Sequence, residues 1–148
     1  MPYQFKLEAL RRFRQFEEER LQKELGDAQR VIEQAQDLLR ARLALRQKTE
    51  HEFRKSSQGA EASAAQAAMY RGYLQRLASE IIMGQRQVQA AEKACQEVRD
   101  LLLEAMKRRK ALDRLKEKGE QAFTAELNSQ EQKFINEMAI QRFVRKEE

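Results

Sequence analysis

Apolar residues recur at alternating spacings of three and four along most of this chain, stop once near its middle, and resume. The first run is Leu21, Leu25, Ala28, Ile32, Ala35 and Leu39. The second is Tyr70, Leu74, Leu77, Ile81, Gly84, Val88, Ala91, Cys95, Val98, Leu102 and Ala105. A mean spacing near 3.5 keeps one stripe of a supercoiled helix facing a partner, so each run predicts one long coiled-coil helix. Ser56-Ser57-Gln58-Gly59 between them carries turn chemistry and folds the chain back. The expected fold is all-α: a long antiparallel two-helix coiled-coil hairpin with an overhanging C-terminal helix. It forms a single domain over 1–148, with helix one about 2–55, a turn about 56–61, a restart near Glu61 and helix two about 62–145.

Composition removes the competing classes. The chain is 36% charged, with one Pro, five Gly and no Trp, which suits long solvated helices better than a globular core. β-Branched residues are few and scattered, so strands are not expected. Arg and Glu interrupt every apolar stretch before it reaches membrane-spanning length. The opening Met1-Pro2-Tyr3-Gln4-Phe5-Lys6-Leu7 lacks a signal peptide's apolar stretch. One Cys excludes an intrachain disulfide and fits a reducing compartment, so a cytoplasmic location is expected.

Nor does the sequence carry a site for chemistry. A lone His51 and a lone Cys95 make neither a zinc site nor a nucleophile–base pair, and no Gly-rich phosphate loop is present. No catalysis, cofactor or metal is expected. Cys95 and Gly84 fall on the seam and read as core and close approach, while Glu17-Glu18-Glu19 reads as surface charge. The function expected of such a chain is contact with other proteins.

Laying one seam on the other predicts a register. Leu39 meets Ile81, Ala35 meets Gly84, Ile32 meets Val88, Ala28 meets Ala91, Leu25 meets Cys95 and Leu21 meets Val98, although a shift of one heptad also keeps apolar on apolar. The seam is expected to slip near Phe13 and Phe16, where a strict heptad would place Arg14 and Glu17 or Glu18. Pro2 suits a helix's first turn and would lie opposite Glu117 or Lys118. Helix two then overhangs, carrying Phe123, Leu127, Phe134, Ile135, Met138, Ile140, Phe143 and Val144 without a partner helix. Gly119 and Asn128-Ser129 suggest a bend or fraying over Glu120 to Glu131.

Two surfaces stand out. Phe53, Tyr70, Tyr73, Leu74 and Leu77 gather near the tip more densely than a seam requires. At the open end, Lys107 to Lys118 holds seven Lys/Arg against two acids, the whole of the net charge of +5, and the register brings Arg11, Arg12 and Arg14 beside it. Basic helices bind nucleic acid in some proteins, but the acidic residues around both arms break any continuous phosphate track.

At these positions the chain resembles the FliJ family, the soluble coiled-coil component of flagellar type III export. The resemblance is carried by Phe5-Lys6-Leu7-Glu8-Ala9-Leu10, by Tyr70-Arg71-Gly72-Tyr73-Leu74-Gln75-Arg76-Leu77, and by Arg108-Arg109-Lys110-Ala111-Leu112-Asp113-Arg114-Leu115-Lys116-Glu117-Lys118. It continues through Glu131-Gln132-Lys133-Phe134-Ile135-Asn136-Glu137-Met138-Ala139, with Ile135-Asn136-Glu137 where the family often has Leu-Asp-Glu. The resemblance implies a non-enzymatic, rotor-stalk-like protein whose termini enter and stimulate the hexameric export ATPase. It further implies a tip that contacts the cytoplasmic part of the export gate, recycling of export chaperones, and indirect association with the inner membrane. Carried onto this chain, the expected ATPase contacts are Arg11, Arg12, Arg109, Lys110, Arg114, Phe134, Ile135 and Met138. The expected gate contacts are Phe53, Tyr70, Tyr73 and Leu77. A nucleic-acid-binding coiled coil and a purely structural spacer are the alternative readings of the same residues.

Overall fold

The computed structural model describes residues 2–59 and 63–147 and contains two helices, α1 (Glu8–Ser57) and α2 (Ala64–Glu147), with no strand among the described residues. They pack against each other as an all-α antiparallel hairpin. The expected restart near Glu61 lies outside the described residues.

Local chemistry sets the helix ends. α1 begins at Glu8, not at Pro2: the Glu8 amide donates to Phe5 O at 3.1 Å and the Arg11 amide to Leu7 O at 2.9 Å. The residues before it are drawn off the helix path because Tyr3 packs across α2, stacking on Phe123 with ring centroids 5.7 Å apart. Glu8 complements the positive end of the α1 dipole, and Arg54 and Lys55 complement its negative end. Beyond Ser57, the Gly59 amide reaches back to Ser56 O at 3.4 Å. Ser63 caps α2, its Oγ accepting from the Ala65 and Gln66 amides at 3.1 and 3.3 Å.

The contacts group the chain into two units, Arg20–Leu102 and Met1–Glu19 with Leu103–Glu148. In the first, the seam is the one read from the sequence: Leu21, Leu77, Ile81, Gly84 and Cys95 are buried, and Leu25, Ala28, Ile32, Ala35, Leu39, Val88, Ala91 and Val98 are half-buried. The register differs. A Cβ built on Gly84 would lie 3.3 Å from Leu39 Cδ1, Arg42 Nη1 donates to Glu80 O at 3.0 Å, and Phe53 meets Tyr70 edge-on at 5.4 Å. Leu39 is therefore opposite Gly84, not Ile81. Antiparallel direction is the reason. Steps of three then four on one helix must meet steps of three then four read backwards on the other. From Leu39 to Arg42 to Arg46 the steps are three and four, as they are from Gly84 to Ile81 to Leu77. The expected pairing set a step of three against a step of four at every layer. At that layer large meets small, and Leu39 fills the space that Gly84 leaves.

In the second unit the seam does not slip. Phe13 and Phe16 point outward, 57% and 65% exposed, while Arg11, Arg14, Glu17 and Glu18 hold the inner positions. Ion pairing makes that tolerable: Glu18 is only 7% exposed and accepts from Arg109 Nε and, at 3.4 Å, from Arg109 Nη2. The strict heptad survives because α2 supplies a charge partner where an apolar layer would have been. α2 also runs unbroken through Gly119 and Asn128-Ser129, where a bend was expected. One Gly costs a helix about 1 kcal/mol, which its neighbours absorb. Tyr3 lies so close over Gly119 that a Cβ there would overlap its ring, so the missing side chain serves packing.

Candidate functional site

The surfaces that can meet another molecule are those the seams leave uncovered. In the unit holding both chain ends, Phe123 is half-covered by Tyr3, so it leaves the set of free apolar residues. Beyond it every described residue to Glu147 is exposed. The seam positions Gly119 and Phe123 would continue as Glu126, Gln130, Lys133 and Glu137, all polar. The apolar side chains come one position later, at Leu127, Phe134 and Met138, which turns their stripe about 100° from the face that α1 covers. Phe134, Ile135 and Met138 stand on one side of the exposed helix, while Phe143, nine residues after Phe134, lies on the opposite side from it, with Arg142, Arg145 and Lys146 among them. A partner there meets apolar side chains interleaved with positive charge.

The expected cationic contacts divide into two groups. Arg11 and Arg109 face inward and are engaged within the chain. Arg11 reaches Asp113 at 3.5 Å and Glu8 at 3.2 Å, and Arg109 reaches Asp113 at 2.7 Å besides holding Glu18. Hydrogen bonding from Arg109 to Glu18 raises the guanidinium's pKa, against the opposing effect of burial and with help from the Glu18 and Asp113 charges. Glu8 gathers Arg11, Arg12 at 3.5 Å and Lys116 at 3.3 Å. Burial alone would raise the Glu8 carboxyl, but hydrogen bonds and charge from Arg11 and Lys116 prevail and hold it below the ordinary 4.5. Arg12, Lys110 and Arg114 are exposed. Arg14 is half-buried beside Glu17 at 3.1 Å. Arg109 and Lys116 of the positive cluster, with Arg11, Arg12 and Arg14 of α1, are thus paired with acids, and Glu18–Arg109, Glu8–Lys116 and Arg11–Asp113 are pairs between helices that spacing along one helix does not show.

In the other unit, the expected tip residues also divide. Tyr73 is exposed, with the Arg76 guanidinium 5.7 Å from its ring centroid. Phe53 and Tyr70 are half-buried against each other, and Leu77 is 3% exposed, a core residue of the seam. Leu45, Thr49, Met69, Tyr70 and Tyr73 line a groove of about 580 Å³, rimmed by Lys48, Glu52 and Gln66. Among the described residues no cluster of His, Cys, Asp or Glu could hold a metal, and no helix is long and apolar enough to cross a membrane.

Sequence reasoning missed the inward ion pairs and the outward Phe13 and Phe16. One signal was available: a strict heptad count already put Arg14 and Glu17 or Glu18 inside, and Arg109 and Asp113 lie one turn apart on α2, where they can share them. Comparison with curated proteins and with solved structures gives no match. The family profile described as "Flagellar FliJ protein" matches residues 3–148. With that match covering nearly the whole chain, and two packed helices consistent with it, the chain belongs to the FliJ family, coiled-coil proteins of the flagellar export apparatus.

Proposed function

We propose that this chain is a non-enzymatic coupler of flagellar export, binding and stimulating the hexameric export ATPase through its open end and reaching the export gate through its tip. The observation that supports this reading is the stripe of Leu127, Phe134 and Met138, with Ile135 beside it, exposed apolar side chains on a helix that nothing else among the described residues covers. Such a stripe gains roughly 25 cal/mol for each Å² removed from water inside a ring. Arg142, Arg145 and Lys146, with exposed Arg12, Lys110 and Arg114, would steer that end towards an acidic pore mouth. Arg11 and Arg109 act in this reading as supports that hold α1 against α2, leaving the contact itself to their exposed neighbours. At the tip, Tyr73 is the presenting residue, with Phe53, Tyr70 and Leu77 beneath it. Export chaperones are further proposed partners, and the working place is beside the membrane export apparatus. Neutralisation of Arg11 and Arg109 by acids disfavours the alternative of nucleic-acid binding.

The test is stimulation of purified export ATPase by the full chain, by Phe134→Ala/Met138→Ala, and by a chain ending at Thr124, which keeps the Tyr3–Phe123 contact. Both variants should retain helicity and lose most of the stimulation. Undiminished stimulation by the shortened chain would overturn the assignment.

A further inference from the structure

The residues that precede α1 do not continue its helix. Tyr3 and Phe5 are half-buried and alternate with exposed Pro2, Gln4 and Lys6. Tyr3 sits in a notch on α2 that exists because residue 119 is glycine: a Cβ there would overlap the phenol ring. The same ring lies on Phe123, with 5.7 Å between centroids. This seat is specific in shape but lightly held. Polar contacts between the N-terminal arm and α2 begin only at Glu8, which meets Lys116 at 3.3 Å. Among the described residues no hydrogen bond or ion pair ties 2–7 to α2. A segment with so few buried contacts opens at the low end of the range of local unfolding free energies. It also has a second path open to it. Tyr3 to Leu7 holds neither Gly nor Pro, and Pro2 suits a helix's first position, so the same residues can extend α1 once Tyr3 leaves its notch.

Phe123 is what this segment hides. It is the last apolar seam position of α2, and on a helix turning about 100° per residue it also points within about 60° of Leu127, Phe134 and Met138. It therefore heads the exposed stripe, closed by a ring from the other end of the chain. We propose that Pro2–Leu7 is an autoinhibitory strap. Docked, it withholds Phe123 from the partner that takes the stripe; released, it lengthens the stripe from Leu127–Met138 to Phe123–Met138. This regulation rests on the stripe being the ATPase contact. A strap that is mostly closed lowers apparent affinity by the fraction of time it is open, so one open about a fifth of the time weakens binding about fivefold. Gly119 is the positioning residue of the device, because an alanine there pushes Tyr3 out of its notch while favouring the helix.

The test reads opening first, without any partner. In the full chain labelled with meta-fluorotyrosine, fluorine NMR gives one signal for each of the three tyrosines, and Tyr3→Phe assigns that of Tyr3. Gly119→Ala should move the Tyr3 signal and leave those of Tyr70 and Tyr73 in place. Binding of the full chain to purified export ATPase is then titrated for the original chain, Gly119→Ala and Tyr3→Ala. Both variants should bind about fivefold tighter. Tyr3→Ala leaves α2 untouched, so a gain shared by the two comes from the strap and not from helix propensity. A Tyr3 signal that Gly119→Ala does not move would overturn the proposal, as would a gain confined to one variant. Unchanged or weaker binding of both would also overturn it, making Tyr3 an anchor or part of the contact. The stripe reading fails by a different sign: undiminished binding of Phe134→Ala/Met138→Ala would overturn it, and the strap's regulatory role with it, whatever the Tyr3 signal does.

Discussion

Removing Arg109 should cost more than removing Glu18, although the two form one ion pair. Glu18's side chain is 9% exposed and Arg109's 24%, so the pair lies between an exposed bridge, worth about 0–1 kcal/mol, and a buried one, whose breakage costs about 3–5 kcal/mol. Glu18→Ala leaves Arg109 with Asp113 at 2.7 Å and some access to water, so the expected loss is about 2 kcal/mol. Arg109→Ala strands a nearly buried carboxylate, and the expected loss is about 3 kcal/mol. Glu18→Leu/Arg109→Leu fills the same layer with apolar surface and should return to within about 1 kcal/mol of the original. Urea denaturation followed at 222 nm, arranged as a double-mutant cycle with the two alanine variants, measures the coupling directly. Losses below about 0.5 kcal/mol for both single variants, or additive losses in the cycle, would mean that the pair is solvent-screened and that the inward seam is held by something else.

Three other outcomes follow from the same packing. Gly26 and Gly72 have open space where a Cβ would stand, so Gly26→Ala and Gly72→Ala should each raise stability by about 0.8–1 kcal/mol in thermal or urea melts; Gly84→Ala, facing Leu39 Cδ1 at 3.3 Å and Arg42 Nη1 at 3.4 Å, should gain less or lose. Leu77→Ala should destabilise by about 2–5 kcal/mol, whereas Tyr73→Ala should change stability little, and the reverse order in denaturation would make Leu77 a surface contact after all. Glu8 is held below 4.5, so the charged form is favoured by folding: its contribution is present above 4.5 and is lost as pH falls through the lower folded value. Comparing the full chain with Glu8→Gln across an acid titration should show a stability difference that is constant above 4.5 and shrinks only below it; a difference shrinking at higher pH would contradict the sign.

The alternating three- and four-residue spacing was enough to determine two helices, their inward faces over Leu21–Leu39 and Tyr70–Ala105, and the turn near Gly59, because periodicity follows from helix geometry alone. The burial of Cys95 was legible for the same reason. The resemblance that pointed to the family was likewise written in contiguous residues. Three things needed the other helix. Register depends on how two seams of opposite direction mesh, and no single run of residues contains that information; it moved Leu39 from Ile81 to Gly84. The inner face near the N-terminus depends on a charge partner ninety-one residues away, since Arg109 is what lets Glu18 sit inside while Phe13 and Phe16 stay out. The free apolar surface was decided by coverage: Tyr3 takes Phe123 and the seam takes Leu77, while Tyr73, the row from Val31 to Leu45, and Leu127, Phe134 and Met138 near the end of α2 stay among the exposed apolar residues. A sequence shows which side chains avoid water, but only the packed structure shows which of them have already found cover.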